Sequence, residues 1–196
     1  MKEISIGCYG INGHQIHPIA AVLKRASVDA FAGVSEAEFE AIRGHHPELS
    51  KVKRYPDLDA LLADDRLGMV SICSPRRDQQ AEETIRCLRA GKHVLAEKPL
   101  CLTLEELKQI RRAVERTDRE LRSMTASVYT PSWTAMRDVV DSDEIGRPVQ
   151  IYAQKSYPYH DRRPQDRGVD GGLIRQAGIH AVTFARRGTG CGFVSI

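Results

Sequence analysis

Short apolar runs alternate with stretches of helical spacing through the first two-thirds of the chain, and nothing else in the sequence restricts the fold as strongly. Ile4–Tyr9 is an apolar run that ends at Gly10, the pattern of a buried strand. His14–Lys24 carries Ile16, Ile19, Ala20 and Leu23 at helix spacing, with Pro18 tolerable only in a first turn. Val28–Val34 reads as a second strand. Ser35-Glu36-Ala37-Glu38 then opens a helix with acids at its positive end. The pattern goes on to predict a helix over Asp57–Ala63, a strand over Gly68–Cys73, a helix over Asp78–Ala90 stopped by Gly91, and a strand over Lys92–Ala96. Thr103 and Glu106 form a capping-box pair for a helix reaching to about Arg116, and Leu121–Val128 reads as a further strand. Repeated β-α units of this kind predict an α/β fold, a parallel sheet with helices on both faces.

The character of the sequence changes near Thr130-Pro131, which places a domain boundary near residue 125. Beyond it the spacing predicts a helix over Trp133–Val140, a turn at Gly146–Pro148 and an alternating strand over Val149–Tyr157. A polar loop over Tyr157–Gly172, a helix over Leu173–Arg186 and the start of a strand over Cys191–Ile196 follow. The 196 residues sit between one domain and two. No apolar run approaches the roughly 18 residues that span a bilayer, so no membrane association is expected. The start of the chain lacks a secretory pattern, and a reducing, cytoplasmic setting is expected. The 29 basic and 26 acidic residues leave a net charge of only +3, too small to argue for nucleic acid. The five cysteines are scattered with no CxxC pair, which speaks against a disulfide framework or zinc. His45-His46 share no helix face, so no metal is expected there.

Two segments carry chemistry. The first strand runs into Gly10-Ile11-Asn12-Gly13-His14-Gln15. A dinucleotide-binding turn has glycine at three positions of G-x-G-x-x-G, which here read Gly10, Asn12 and Gln15. Asn tolerates positive φ best among other residues, so Asn12 is the expected stand-in, and Gly13 adds a second flexible point. Gly10, Ile11, Asn12 and Gly13 are therefore candidates for holding a pyrophosphate. Ser35 stands where an acid would hold the adenosine ribose, with Glu36 beside it, and the choice between NAD and NADP stays open. The second segment is Glu97-Lys98-Pro99, directly after a predicted buried strand. Charged groups there lie at the carboxyl edge of the sheet, where open α/β sheets bind ligands. A partly desolvated lysine at that edge can serve as an acid or base.

Residues 90–107, AGKHVLAEKPLCLTLEEL, closely resemble the signature of the Gfo/Idh/MocA family of glucose–fructose oxidoreductases and inositol dehydrogenases. The order of the other motifs fits as well: the glycine loop, Ser71-Ile72-Cys73-Ser74-Pro75, Asp143-Glu144-Ile145-Gly146-Arg147-Pro148, and Gly171-Gly172-Leu173-Ile174-Arg175-Gln176-Ala177-Gly178-Ile179-His180. The resemblance implies a Rossmann-like domain over 1–125 and an incomplete α+β substrate and dimerisation domain over 126–196. It implies an NAD(P)-dependent oxidoreductase acting on a sugar, polyol or related compound, homo-oligomeric at full length. Lys98 would contact substrate and nicotinamide, Glu97, Ser74 and Pro75 the cofactor, and His180 would act as general acid/base. Tyr157–Arg163 would lie near the substrate mouth. The chain departs from the pattern at Gln176 and Thr183, where relatives carry acids, and at Pro75-Arg76-Arg77 and Gln79, where they commonly show Pro-Asn and a later His. An amide at Gln176 orients the histidine only by hydrogen bonding. The rival expectations are a non-catalytic nucleotide-binding protein and a truncated, inactive member.

Overall fold

The computed structural model describes residues 3–125, 129–156 and 166–190. β1 (Ile4–Tyr9) is central in a parallel sheet with β2 (Ala26–Ala32), β3 (Lys53–Arg54), β4 (Met69–Ile72), β5 (His93–Ala96) and β6 (Leu121–Ser123). The order across the sheet is β3-β2-β1-β4-β5-β6, every neighbour parallel. The chain builds outward from β1 in one direction, then crosses over and builds in the other. The connections leaving β1 and β4 therefore diverge, and a crevice opens at their carboxyl ends.

Both faces of the sheet are covered, as parallel strands require. On one face Leu61, Leu67, Val70, Ile72, Leu88, Val94 and Ile110 pack with α2 (Leu58–Leu62), α3 (Gln80–Arg89) and α4 (Leu104–Thr117). On the other, Cys8, Val28, Phe31, Phe39, Ile42 and Leu49 pack under α1 (Glu36–His45). Each buried side chain of this size contributes roughly 1.5–3 kcal/mol relative to exposure. Ser35 and Thr103 cap α1 and α4, each completing a capping box with Glu38 and Glu106. Beyond the sheet come α5 (Pro131–Asp141), α6 (Arg167–Asp170) and α7 (Leu173–Thr189). Trp133 of α5 stacks on Phe184 of α7 with ring centroids 4.2 Å apart.

Several elements differ from the sequence expectation. The helix expected over His14–Lys24 is a 3-10 helix, His17–Val22, with Pro18 in its first turn. Pro18 forbids an earlier start, and β2 begins at Ala26, so the crossover has room for little more. β2 itself lies two residues earlier than expected, and the short edge strand β3 has no apolar pattern that would announce it. β6 ends at Ser123, and residues 126–128 of the expected Leu121–Val128 strand lie outside the described residues. The strand expected over Val149–Tyr157 is absent from 149–156. Val149 and Tyr152 are exposed there and no strand pairs with this segment among the described residues, so its backbone ladder is unmade. Within the expected loop, 166–172 contains α6. The expected substrate-mouth segment Tyr157–Arg163 and strand Cys191–Ile196 fall outside the described residues.

One half-buried histidine makes stability depend on pH. The His17 ring sits edge-on to Phe31 and His46, and its Nδ1 is buried with no hydrogen-bond partner among the described residues. Burial, aided by His46, pushes it down to about 4. The unfolded chain takes up this proton near pH 6.5, the folded chain only near 4. Folded stability is therefore full above about 6.5 and is lost as pH falls toward 4. Urea midpoints recorded from neutral pH downward should fall less steeply in His17→Gln than in the parent chain.

Candidate active site

β1 delivers the chain to Gly10, whose φ is +64°. A β-carbon there would collide with the Cys73 carbonyl oxygen, so the loop and the end of β4 touch backbone to backbone. Gly13, at φ +127°, is equally confined, because a β-carbon would lie 2.7 Å from Glu97 Cγ. Asn12 does not take the left-handed conformation expected of it. The described non-glycine residues with positive φ are Asp118 and Asp143. Asn12 works through its amide instead, donating to the carbonyls of Val169 at 2.7 Å and Pro75 at 3.2 Å. Ile11 packs against the Phe31 side of the core.

The third glycine position has a different solution. Gln15 is buried, and its Nε2 donates to the carbonyls of Gly10 at 2.9 Å and Ser71 at 3.1 Å. Its Oε1 accepts from Ile16 N–H at 2.8 Å and from the Ser71 hydroxyl. An amide thus fills the space between strand and crossover that a third glycine would leave for close backbone packing.

The connections after β4 and β5 form the far wall. Ser74 is fully buried, and its hydroxyl donates to Glu83, which also accepts from Tyr9 Oη at 2.9 Å. Gln80, at the start of α3, is also fully buried. Its Nε2 donates to the carbonyls of Glu97 at 2.6 Å and Pro99 at 3.0 Å, and its Oε1 accepts from Arg77. Arg77 is buried as well, and a second nitrogen donates to the Asn12 carbonyl at 2.5 Å. Burial pushes the Arg77 guanidinium below its ordinary value, against the pull of Glu97. Backbone bonds from Arg77 and Asp78 to Val169 and Gly168 draw α6 across the mouth of the glycine loop.

Glu97 is 1% exposed and is held on three sides. His14 N–H donates to it at 3.0 Å, the His14 ring lies 3.3 Å away, and Lys98 Nζ is 3.8 Å away. Lys98 is 4% exposed, precedes a cis proline, and donates to the Gln176 carbonyl at 3.4 Å. Gln176 therefore meets the lysine through its backbone, one turn before His180 on α7. His180 is largely buried and its Nε2 has no hydrogen-bond partner among the described residues. Burial first, then the charges of Lys98, Lys155 and His14, push its pKa down, while Glu97 pulls it up.

Lys98 and His180 line one cleft of about 690 Å³ with His14, Gln15, Arg122 and Lys155. Clefts of about 770 and 870 Å³ lie elsewhere, between α5 and α7 and at the amino end of β2, away from the strand ends that bind ligands in such sheets. Ser35 is apart from this cleft. Its hydroxyl and N–H are both engaged with Glu38, while Glu36 pairs with Arg54 of β3. Sequence reasoning missed Gln80, Lys155 and Arg54. Gln80 and Arg54 are single polar residues without a motif, and Lys155 sits in a segment read as a strand. Cys73, beside the loop, is raised to about 12 by burial and is no nucleophile at neutral pH.

A dinucleotide fits this framework. Gly10 and Gly13 form a turn with no room for β-carbons, set at the switch point of the sheet, and the cleft with Lys98 begins beside it.

Known proteins resemble the chain on both levels. Residues 4–125 match the profile of an oxidoreductase family with an NAD-binding Rossmann fold, Gfo/Idh/MocA. An uncharacterized oxidoreductase of Rhizobium meliloti is 32% identical over 188 residues, covering 95% of this chain and 56% of the relative. Inositol 2-dehydrogenase 2 of Saccharopolyspora erythraea is 29% identical over 92% of this chain and 51% of its own length. The apo crystal structure of scyllo-inositol dehydrogenase from Lactobacillus casei superposes with a TM-score of 0.81 at 25% identity, over 96% of this chain and 55% of that one. The chain thus spans about half the length of the curated relatives it matches.

The confinement of Gly13 gives a direct test. Gly13→Ala should cost about 1–3 kcal/mol of stability, through left-handed strain and contact with Glu97. It should weaken NAD(P)H binding, read by nicotinamide fluorescence, by about ten-fold or more. Gly44, in α1 with nothing within 4 Å of an added β-carbon, is the control. Gly44→Ala should stabilise by roughly 0.5–1 kcal/mol and leave binding unchanged.

Proposed function

The chain belongs to the Gfo/Idh/MocA oxidoreductase family, and on that premise we propose that it transfers hydride between NAD or NADP and a hydroxyl-bearing carbon of a sugar, polyol or related small molecule. The substrate class rests on relatives named as inositol dehydrogenases. We assign residues 1–125 to the dinucleotide unit and 126–196 to part of the substrate unit.

What carries the reading is the placement of Lys98 and His180 on one cleft at the carboxyl edge of the sheet, His180 with a buried Nε2 that has no partner among the described residues. A bound nicotinamide supplies the hydride acceptor, or the donor in the reverse direction. The substrate hydroxyl passes its proton to neutral His180 as the carbon gives up hydride and the carbonyl forms. The Lys98 ammonium donates a hydrogen bond to the same oxygen and stabilises its developing negative charge. The Gln176 carbonyl and Glu97 hold that ammonium in place. Gly10, Ile11, Asn12 and Gly13 hold the pyrophosphate, Ser74 and Pro75 border the cofactor, and Glu97 braces the loop that carries it. Ser35, its hydroxyl and N–H held by Glu38, would border the adenosine end beyond β2 without donating to it.

The test separates chemistry from binding. Lys98→Met keeps the buried stem and removes the donor. It should lower turnover by about a hundred-fold or more while NAD(P)H fluorescence titrations stay close to the parent. Turnover at the parent level would refute the role. In the oxidative direction the rate should rise with pH through a single limb centred below 6.5, because His180 must be neutral to accept the proton and is pushed below that value. His180→Asn should remove this limb.

A further inference from the structure

A second concave site lies on the outside of the helical layer, away from the cleft. α3 and α4 pack side by side over one face of the sheet and both run back against the strands, so their last turns stand at the amino ends of the strands, opposite the glycine loop. Between them is a hollow of about 320 Å³ lined by Arg89 of α3 and by Gln109, Arg112, Ala113, Arg116 and Thr117 of α4. The α4 residues recur at helical spacing and form one stripe. Three of the six lining residues are arginines, none is acidic, and the buried Ala113 is the one apolar member.

These arginines differ from most others on the described surface. Arg54, Arg66, Arg76 and Arg86 each meet a carboxylate. Arg89, Arg112 and Arg116 make no ion pair and no side-chain hydrogen bond among the described residues. The nearby acids are spent or placed elsewhere. Glu105 pairs with Lys108 and Asp59 with Arg86. Glu82 is two turns before Arg89, and Glu115 is off the α4 stripe. Asp118, the left-handed cap residue of α4, makes no ion pair with the three. Arg89 and Arg116 stand in the last turns of their helices, whose carbonyl ends attract cations. Each end carries roughly half a negative charge, set against three full positive ones, so the hollow stays cationic.

A guanidinium presents a planar fork of donors that fits carboxylate or phosphate oxygens in pairs. Three forks from two helices approach one centre from different directions. A single carboxylate has two oxygens in one plane and cannot meet them all, whereas a tetrahedral phosphate offers oxygens on every side. The Gln109 amide adds an uncharged donor at the wall. Thr117 is different, because its hydroxyl proton goes to the Ala113 carbonyl at 2.8 Å. We propose that this hollow binds a small phosphate-bearing anion, a diphosphate or a phosphate ester, through Arg89, Arg112 and Arg116, at a site separate from the dinucleotide loop. The inference does not depend on the oxidoreductase reading, since none of its residues belongs to the cleft that holds Lys98 and His180.

Calorimetry on the full chain tests it, with NAD(P)H in excess so that the glycine loop is occupied. The probes are inorganic pyrophosphate, glucose 6-phosphate and citrate, a carboxylate anion of similar charge. Pyrophosphate or glucose 6-phosphate should bind with a dissociation constant of about 1 mM or tighter at about 0.05 M salt, and the stronger of the two tells a free diphosphate from an ester. Citrate should bind about ten-fold more weakly. Arg89→Gln, Arg112→Gln and Arg116→Gln should each weaken the phosphate probe by about ten-fold. All three positions are exposed, and glutamine is a good helix former, so the fold is kept. Lys108→Gln removes a charge from α4 outside the hollow and should change binding by less than about two-fold. The variants locate the site whether or not NAD(P)H binds. Absence of binding at about 10 mM probe, citrate binding as tightly as the phosphates, or equal losses in Lys108→Gln and the arginine variants would overturn the proposal.

Discussion

The carboxylate of Glu97 is the point on which the site depends. A buried carboxylate is costly unless its oxygens are met, and here they are met by the nucleotide loop and by the lysine. The His14 N–H that follows Gly13 binds one oxygen, which fixes the turn of the loop. The glycine must stay a glycine because the Glu97 stem occupies the space of its side chain. Lys98, next in the chain, is thereby set at the border between loop and cleft. One charged side chain at the end of β5 ties a backbone conformation in β1's connection to the position of an ammonium group.

Around that point the chain satisfies its strand ends with amides rather than with the small residues such turns usually employ. Gln15 bonds the ends of β1 and β4, and Gln80 bonds the two carbonyls flanking Lys98. Buried amides stabilise only when both ends are paired, and in each case donor and acceptor are engaged. Arg77 links the two systems, since it contacts both the Gln80 oxygen and the Asn12 carbonyl. Asn12 then reaches the backbone of α6. The glycine loop is thus tied to a segment more than a hundred residues later, and the geometry around Lys98 depends on both parts of the chain.

The sheet was legible because its signals are local and redundant. Apolar runs, the acid-rich helix start at Ser35, the capping box at Thr103 and Gly91 each mark an element without reference to the rest. Where an element owes its form to a partner, the sequence was a poor guide. Asn12 was expected to take a glycine's backbone conformation, yet it is its side chain that matters, and its target at Val169 has no sequence proximity. The alternation over 149–156 suggested a strand, but pairing needs an edge that the pattern cannot supply. For the site, Glu97, Lys98 and His180 were read from motifs, and the structure brings them to one region. Gln80 and Lys155 carry no motif, and their positions follow only from how α3 and the 149–156 segment lie against the strand ends.

The departures at Gln176 and Thr183 acquire a physical sense from the state of His180. A carboxylate near an imidazole favours the protonated ring and raises its pKa. Two acids on α7 would therefore oppose the cations that act on His180 and would shift it toward the form that cannot accept a proton. With neutral residues at both positions, burial and the charges of Lys98, Lys155 and His14 push His180 down against the pull of Glu97.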